Sequence, residues 1–177
     1  NNEFEVTSPL SGVVTAMAPV NNVTVNVTPE LNLEEDTSML LIKLNDKNRL
    51  AGSIFSEVTK SNYNNTPDID NVDDFRNMFL LVQEMIASKD ILSIHDISDG
   101  GLITTLLEMC FTKKIGMNLN LSGVERVLEY LFSEESGFVI QVKQKDVTEI
   151  KTTFTEKGLA AKEIGQLKDD IFSINKD

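Results

Sequence analysis

A short polar run that ends in two glycines constrains the fold of this chain more than any other feature. The apolar residues 91–95 (ILSIH) predict a buried strand, and residues 102–111 (LITTLLEMCF) predict a helix. The six residues between them, 96–101 (DISDGG), must turn the chain from one element into the other, and the two glycines allow a close backbone approach there. The sequence therefore predicts a strand, a tight turn and a helix in direct succession.

The rest of the chain alternates between strand patterns and helix patterns. Further strands are predicted at 13–20, 23–27, 37–44, 117–121, 138–142, 160–167 and 171–174, further helices at 50–60, 72–86, 124–132 and 145–157, and a turn at 8–12. Several strands have short connections, so we expect an α+β fold, a layered α/β domain with a mixed β-sheet. We expect residues 1–36 to form a connecting arm and the strands that lead in, and residues 37–177 to form one domain.

Charge and composition exclude several classes of function. The net charge is -12 and no basic run occurs, which argues against nucleic acid as a partner. No apolar run reaches the length of a membrane span, and the first residues lack a signal sequence, so we expect no membrane partner and a cytoplasmic location. The chain has one cysteine and one histidine, which excludes an internal disulfide, a multi-cysteine zinc site and a multi-histidine metal site.

The turn after the predicted strand carries groups suited to a phosphate and a cation. Alternation along a strand places Asp96 and Ser98 on one face, where both can point at one ligand. The helix that starts after Gly100 and Gly101 offers free N–H groups to an anion, and a carboxylate beside that anion can hold magnesium. The alternative is purely structural, with Ser98 or Asp99 capping the helix.

Three other polar groups are candidates for the same site. His95 could bind a ligand, or it could orient the turn through hydrogen bonds, which is the interpretation that we favour. Glu134 and Glu135 follow the apolar pair Leu131-Phe132, and they could bind metal, contact a neighbouring domain or simply lie in solvent at a helix end.

Three segments resemble one known family. Residues 93–121 (SIHDISDGGLITTLLEMCFTKKIGMNLNL), residues 131–142 (LFSEESGFVIQV) and residues 8–31 (SPLSGVVTAMAPVNNVTVNVTPEL) are similar to the second C-terminal lobe of long-form phosphoribosylformylglycinamidine synthases. That family belongs to the AIR synthetase-like superfamily, and the three matches cover nearly the whole chain. Ser136 stands where the family often has Leu, which leaves the resemblance intact.

The resemblance implies an ATP-dependent amidoligase of purine biosynthesis. Such enzymes convert formylglycinamide ribonucleotide, glutamine and ATP into the amidine, glutamate, ADP and phosphate. The family's roles place a Mg2+ ligand at Asp96 and an ATP contact at Ser98, so Mg2+ and ATP or ADP are the expected cofactors. The expected partners are a small-molecule substrate, sister AIR synthetase-like lobes and a glutaminase domain of the same polypeptide. In the long form this second nucleotide site is often regarded as structural, and the chain by itself is expected to be inactive.

Three alternatives compete with that interpretation. Thiamine-monophosphate kinase has a related fold and a similar D-x-S-D-G run, but it usually lacks the preceding histidine and the L-F-x-E-E-x-G block. A second alternative is a purely structural lobe that completes a pseudo-dimer with a sister lobe. A third is an unrelated small acidic binding protein.

Overall fold

The computed structural model describes residues 11–20, 22–33 and 36–176 of the chain. The strands are β1 (Thr37–Lys43), β2 (Ser93–Asp96), β3 (Gly116–Asn120), β4 (Gly137–Lys143), β5 (Ala160–Lys168) and β6 (Ser173–Asn175). The α-helices are α1 (Ile54–Thr59), α2 (Val72–Ser88), α3 (Gly101–Lys113), α4 (Val127–Phe132) and α5 (Val147–Glu156), and a 3-10 turn (Gln144–Asp146) precedes α5. No helix in these ranges is long and apolar enough to cross a bilayer.

The six strands form one mixed sheet in the order β2-β4-β1-β5-β3-β6. β1 pairs antiparallel with both β4 and β5, and β2 and β3 extend the sheet antiparallel on either side. β3 and β6 form the parallel pair. This arrangement confirms the predicted α+β fold with a mixed β-sheet.

The core has two parts, one on each face of the sheet. Met39 and Leu41 of β1 pack with residues of α3 and α4, and Leu40 and Ile42 pack on the opposite face with residues of α2 and α5. Every residue of β1 is buried, because the strand has neighbours on both edges and helices above and below. The prediction of a central buried strand is therefore confirmed. Cys110 lies in the first cluster, and burial raises the pKa of its thiol to about 11.

The segment before β1 differs from the prediction. Residues 11–20 form neither strand nor helix and are exposed, and a turn occupies 23–25, so the strands predicted at 13–20 and 23–27 are wrong. Alternating valines favour a strand, but a strand forms only where a neighbouring backbone completes its hydrogen bonds. The turn predicted at 8–12 begins at residues that lie outside the described ranges.

Residues 28–33 contact the sheet without joining it. The carbonyl of Thr28 accepts a hydrogen bond from the Ile94 N–H at 3.1 Å, and Leu31 is buried in the core. The buried Gln141 side chain accepts from the Asn32 N–H at 2.8 Å and donates to the Asn32 carbonyl at 2.7 Å. The side chain of Gln141 thus holds the segment as a neighbouring strand would, through one donor and one acceptor.

Candidate functional site

The turn between β2 and α3 presents polar groups around one buried anchor. Asp96 ends β2 with its side chain 65% exposed, Ile97 is buried, and Ser98 and Asp99 are exposed. The Ile97 N–H donates to the carbonyl of Gly137 at 2.9 Å, which holds the turn against the start of β4. Asp96 and Ser98 therefore flank a fixed apolar residue, and both remain accessible to a ligand.

Gly101 is required because the turn packs directly on the end of α4. Its φ is +74°, and a Cβ placed there would lie 2.6 Å from the carbonyl carbon of Phe132 and 2.8 Å from the carbonyl oxygens of Leu131 and Ser133. Backbone atoms cannot move aside as a flexible side chain can, so any side chain at this position would displace the turn. The glycine pair and the L-F-x-E-E-x-G block are thus two halves of one packed unit.

Glu134, in the L-F-x-E-E-x-G block, caps the turn between β2 and α3. Its Oε1 atom accepts a hydrogen bond from the Gly100 N–H and another from the Ile54 N–H, both at 2.9 Å. Gly100 is the N-cap of α3 and has no side chain that could cap the helix, so the structural alternative in which Ser98 or Asp99 caps it is wrong. A carboxylate at the start of α3 is also favoured by the positive end of the helix dipole.

Glu135 is buried in an ion pair. Its carboxylate meets Arg49 Nε at 2.6 Å and Arg49 Nη2 at 2.8 Å, and it also accepts from the Arg49 backbone N–H at 3.1 Å. Burial alone would raise the pKa of the Glu135 carboxyl, but the hydrogen bonds and charge of Arg49, with a contact from Asn45, hold that pKa below its usual value. The Arg49 guanidinium also binds Asp70, at 3.0 Å. Glu135 is therefore not solvated, contrary to one of the sequence-based alternatives.

Arg49 was missed by sequence reasoning. Arg49 lies 86 residues from Glu135, in a loop that carries no motif, so no local pattern in the sequence predicts this ion pair. The signal that remains in the sequence is indirect. A carboxylate that follows an apolar helix end and precedes a strand must find a cation if it is buried.

His95 links the turn to α3. Its Nε2 lies 3.0 Å from Oε2 of Glu108, and its Nδ1 lies 2.8 Å from the carbonyl oxygen of Asp96 and 3.3 Å from Oδ1 of the same residue. The Thr105 hydroxyl donates to the same carbonyl at 3.1 Å. These contacts hold the backbone of Asp96, and the orienting role of His95 favoured from the sequence stays a prediction.

The geometry separates the candidate residues into two groups. Glu134 and Glu135 bind donors of the protein itself, whereas Asp96, Ser98 and Asp99 face solvent. Within the described ranges, no group of three or more histidine, cysteine, aspartate or glutamate side chains could enclose a metal ion. One exposed carboxylate beside a hydroxyl and a helix start suits a cation that brings its own water and phosphate oxygens.

Comparison with known proteins defines the class of this domain. Residues 38–174 match the model of the family described as AIR synthase related protein, C-terminal domain. The chain belongs to this family.

Solved structures share the fold at low sequence identity. PurL from Thermotoga maritima complexed with FGAR superposes with a TM-score of 0.66 at 10% identity, over 88% of this chain and 27% of that one. The same protein complexed with ATP superposes with a TM-score of 0.61 at 10% identity, over 88% of this chain and 25% of that one. Thiamine-monophosphate kinase from Stenotrophomonas maltophilia superposes with a TM-score of 0.54 at 10% identity, over 85% of this chain and 52% of that one. The chain thus spans about a quarter of the length of PurL.

Proposed function

We propose that this chain is one lobe of a phosphoribosylformylglycinamidine synthase and that its β2–α3 turn contributes to a Mg2+–nucleotide site. The observation that carries the proposal is the exposure of Asp96 and Ser98 around the buried Ile97, beside the start of α3. The folds of PurL and of the kinase are consistent with an ATP-using enzyme, and the higher TM-score of PurL, 0.66 against 0.54, supports the synthase as the first candidate.

The residues present fit part of a magnesium site. Asp96 would supply one carboxylate oxygen, and the remaining ligands would be water and nucleotide phosphate oxygens, as magnesium prefers. Ser98 and the backbone N–H groups near Gly101 would contact the phosphates. Bound magnesium would neutralise phosphate charge. His95 and Thr105 would keep the Asp96 backbone in place while the nucleotide binds.

The complete reaction requires more than this lobe. We propose that sister lobes and a glutaminase domain of the same cytoplasmic polypeptide supply the other site residues and the ammonia. Since part of a site cannot position all reactants, the chain alone should form no amidine from formylglycinamide ribonucleotide, ATP and ammonia. Amidine formation by the purified chain would contradict the fragment hypothesis.

The test compares Asp96→Asn with Asp170→Asn in the complete enzyme. Asp170 is exposed in the bend before β6, so its replacement makes the same charge change away from the turn. We expect Asp96→Asn to retain less Mg2+–nucleotide and to melt at a lower temperature, because a ligand that binds only the folded state stabilises it. Turnover should fall less than nucleotide retention.

Measured nucleotide content, melting temperature and turnover distinguish the outcomes. Full nucleotide content with abolished turnover would show that the lobe is catalytic rather than a structural nucleotide holder. Unchanged values for all three would remove Asp96 from the site and favour a purely structural pseudo-dimer lobe.

A kinase of thiamine monophosphate is the second candidate, because its solved structure shares the fold over 85% of this chain. The two functions differ in the phosphoryl acceptor. ADP release from the complete protein that depends on thiamine monophosphate, and not on formylglycinamide ribonucleotide, would select the kinase.

A further inference from the structure

A cavity of about 280 Å3 lies where β1 ends and β5 begins. Leu41, Leu44 and Leu159 supply apolar wall, and Lys43 and Lys162 line the same space. The two lysines lie on adjacent strands, and because Lys162 pairs with Leu41, two residues before Lys43, both lysine side chains lie on the same face of the sheet. Apolar walls with a few convergent polar groups are typical of small-molecule sites.

Both lysines approach the ring of Tyr130. The Lys43 Nζ lies 5.7 Å from the ring centre and the Lys162 Nζ lies 5.1 Å from it, distances that allow attraction to the aromatic face. Among the residues that the structure describes, neither ammonium group forms an ion pair with a carboxylate, although Lys43 donates to the neutral side chain of Asn48. Two ammonium groups that approach one ring without an ion pair in the described ranges are unexpected in a chain of net charge -12.

Two groups that line the cavity are buried, and one of them lacks a hydrogen-bond partner. Lys43 is 7% exposed, and the Tyr130 hydroxyl is buried with no hydrogen-bond partner in the described ranges. Burial lowers the pKa of Lys43, and the charges of Glu135 and Asp46 partly restore it. Burial and then the charge of Asp46 raise the pKa of Tyr130 to about 12, so its hydroxyl remains a donor. Glu135 already pairs with Arg49, and Asp46 is the carboxylate residue among those that line the cavity.

We propose that this cavity binds a small organic oxyanion between Lys43 and Lys162. The ligand class is a molecule with a phosphate or carboxylate group and an apolar part that rests on the leucine walls and Tyr130. Charge-assisted hydrogen bonds from two ammonium groups would hold the oxyanion. The cavity shares no residue with the β2–α3 turn, so a test of oxyanion binding is independent of the proposed nucleotide site.

The two tyrosines of the chain allow a direct test. The protein is labelled with 13C-tyrosine, Tyr63→Phe assigns the two ring signals, and pyrophosphate or succinate is added at constant ionic strength. The ring signal of Tyr130 should shift and saturate, whereas the signal of Tyr63 should stay in place. Saturation with pyrophosphate identifies a phosphate site, and saturation with succinate a carboxylate site. No shift with either probe would overturn the proposal.

Variants separate binding from general charge effects. Lys162 is exposed, so Lys162→Met should fold normally, and it should weaken binding at least about tenfold. Lys43→Met should weaken it similarly, with folding checked by its melting temperature. Lys151→Met, on the exposed side of α5, makes the same charge change outside the cavity and should leave the affinity unchanged. An equal loss in Lys151→Met and Lys162→Met would show nonspecific attraction and would also overturn the proposal.

Discussion

Asp96 and Glu135 lie on segments that touch, yet their carboxylates have opposite surroundings. Ile97 is hydrogen-bonded to Gly137, so the two acids belong to the same packed unit. The Glu135 side chain is 1% exposed and is held by Arg49, whereas the Asp96 side chain is 65% exposed. A buried carboxylate must bind a partner within the protein, while an exposed one can exchange water for a ligand at little cost. The comparison gives Glu135 a stabilising role and leaves Asp96 available for the ligand contact that we propose.

The largest effect should come from breaking the buried pair. Arg49→Met leaves the Glu135 charge buried without its cation, so we expect a loss of about 3–5 kcal/mol in the free energy of unfolding. Urea unfolding measures the loss. The double variant Arg49→Met/Glu135→Gln, which removes both charges, should recover part of it. A loss under about 1 kcal/mol in the single variant would show that the pair is not a main support of the unit.

A smaller effect should follow removal of the cap at Glu134. Glu134→Ala deprives the Gly100 and Ile54 N–H groups of their acceptor, and we expect a loss of about 1 kcal/mol. Glu134→Gln keeps an oxygen acceptor without the charge and serves as the matched control. If both variants lose the same free energy of unfolding, the charge of Glu134 at the start of α3 accounts for the loss and its hydrogen bonds do not.

Acid should weaken the fold through Glu135. The folded-state pKa of this carboxyl lies below its ordinary value of 4.5, so its contribution is complete above pH 4.5 and is lost as pH falls through the folded value. Unfolding measured from neutral pH downward should therefore show a steeper loss in the wild type than in Glu135→Gln. Parallel curves would mean that other carboxylates account for the acid sensitivity.

The smallest effect on unfolding is expected at Asp96. Without nucleotide, Asp96→Asn should change the free energy of unfolding by less than about 0.5 kcal/mol, because an exposed side chain has little to lose. The same urea measurement applies. If Asp96→Asn loses as much free energy of unfolding as Arg49→Met, Asp96 and Glu135 do not differ in their role, and Asp96 also stabilises the fold.

The sequence by itself determined the features that depend on neighbouring residues. The apolar run at 37–44 fixed the buried central strand, and the strand, turn and helix around 96–101 follow from apolar patterning and two glycines. These patterns are local, since side-chain direction repeats every two residues in a strand and every 3.6 in a helix. The same alternation predicts that Asp96 and Ser98 share one face, and this stays a prediction.

Tertiary structure alone decided which partners the polar groups found. Glu134 binds Ile54 and Glu135 binds Arg49, 80 and 86 residues away, and no local pattern encodes such distances. The valines of 13–20 and 23–27 carry a strand pattern, but these segments form no strand. A hydrogen-bond partner is a property of the folded chain, so its choice depends on how distant segments pack.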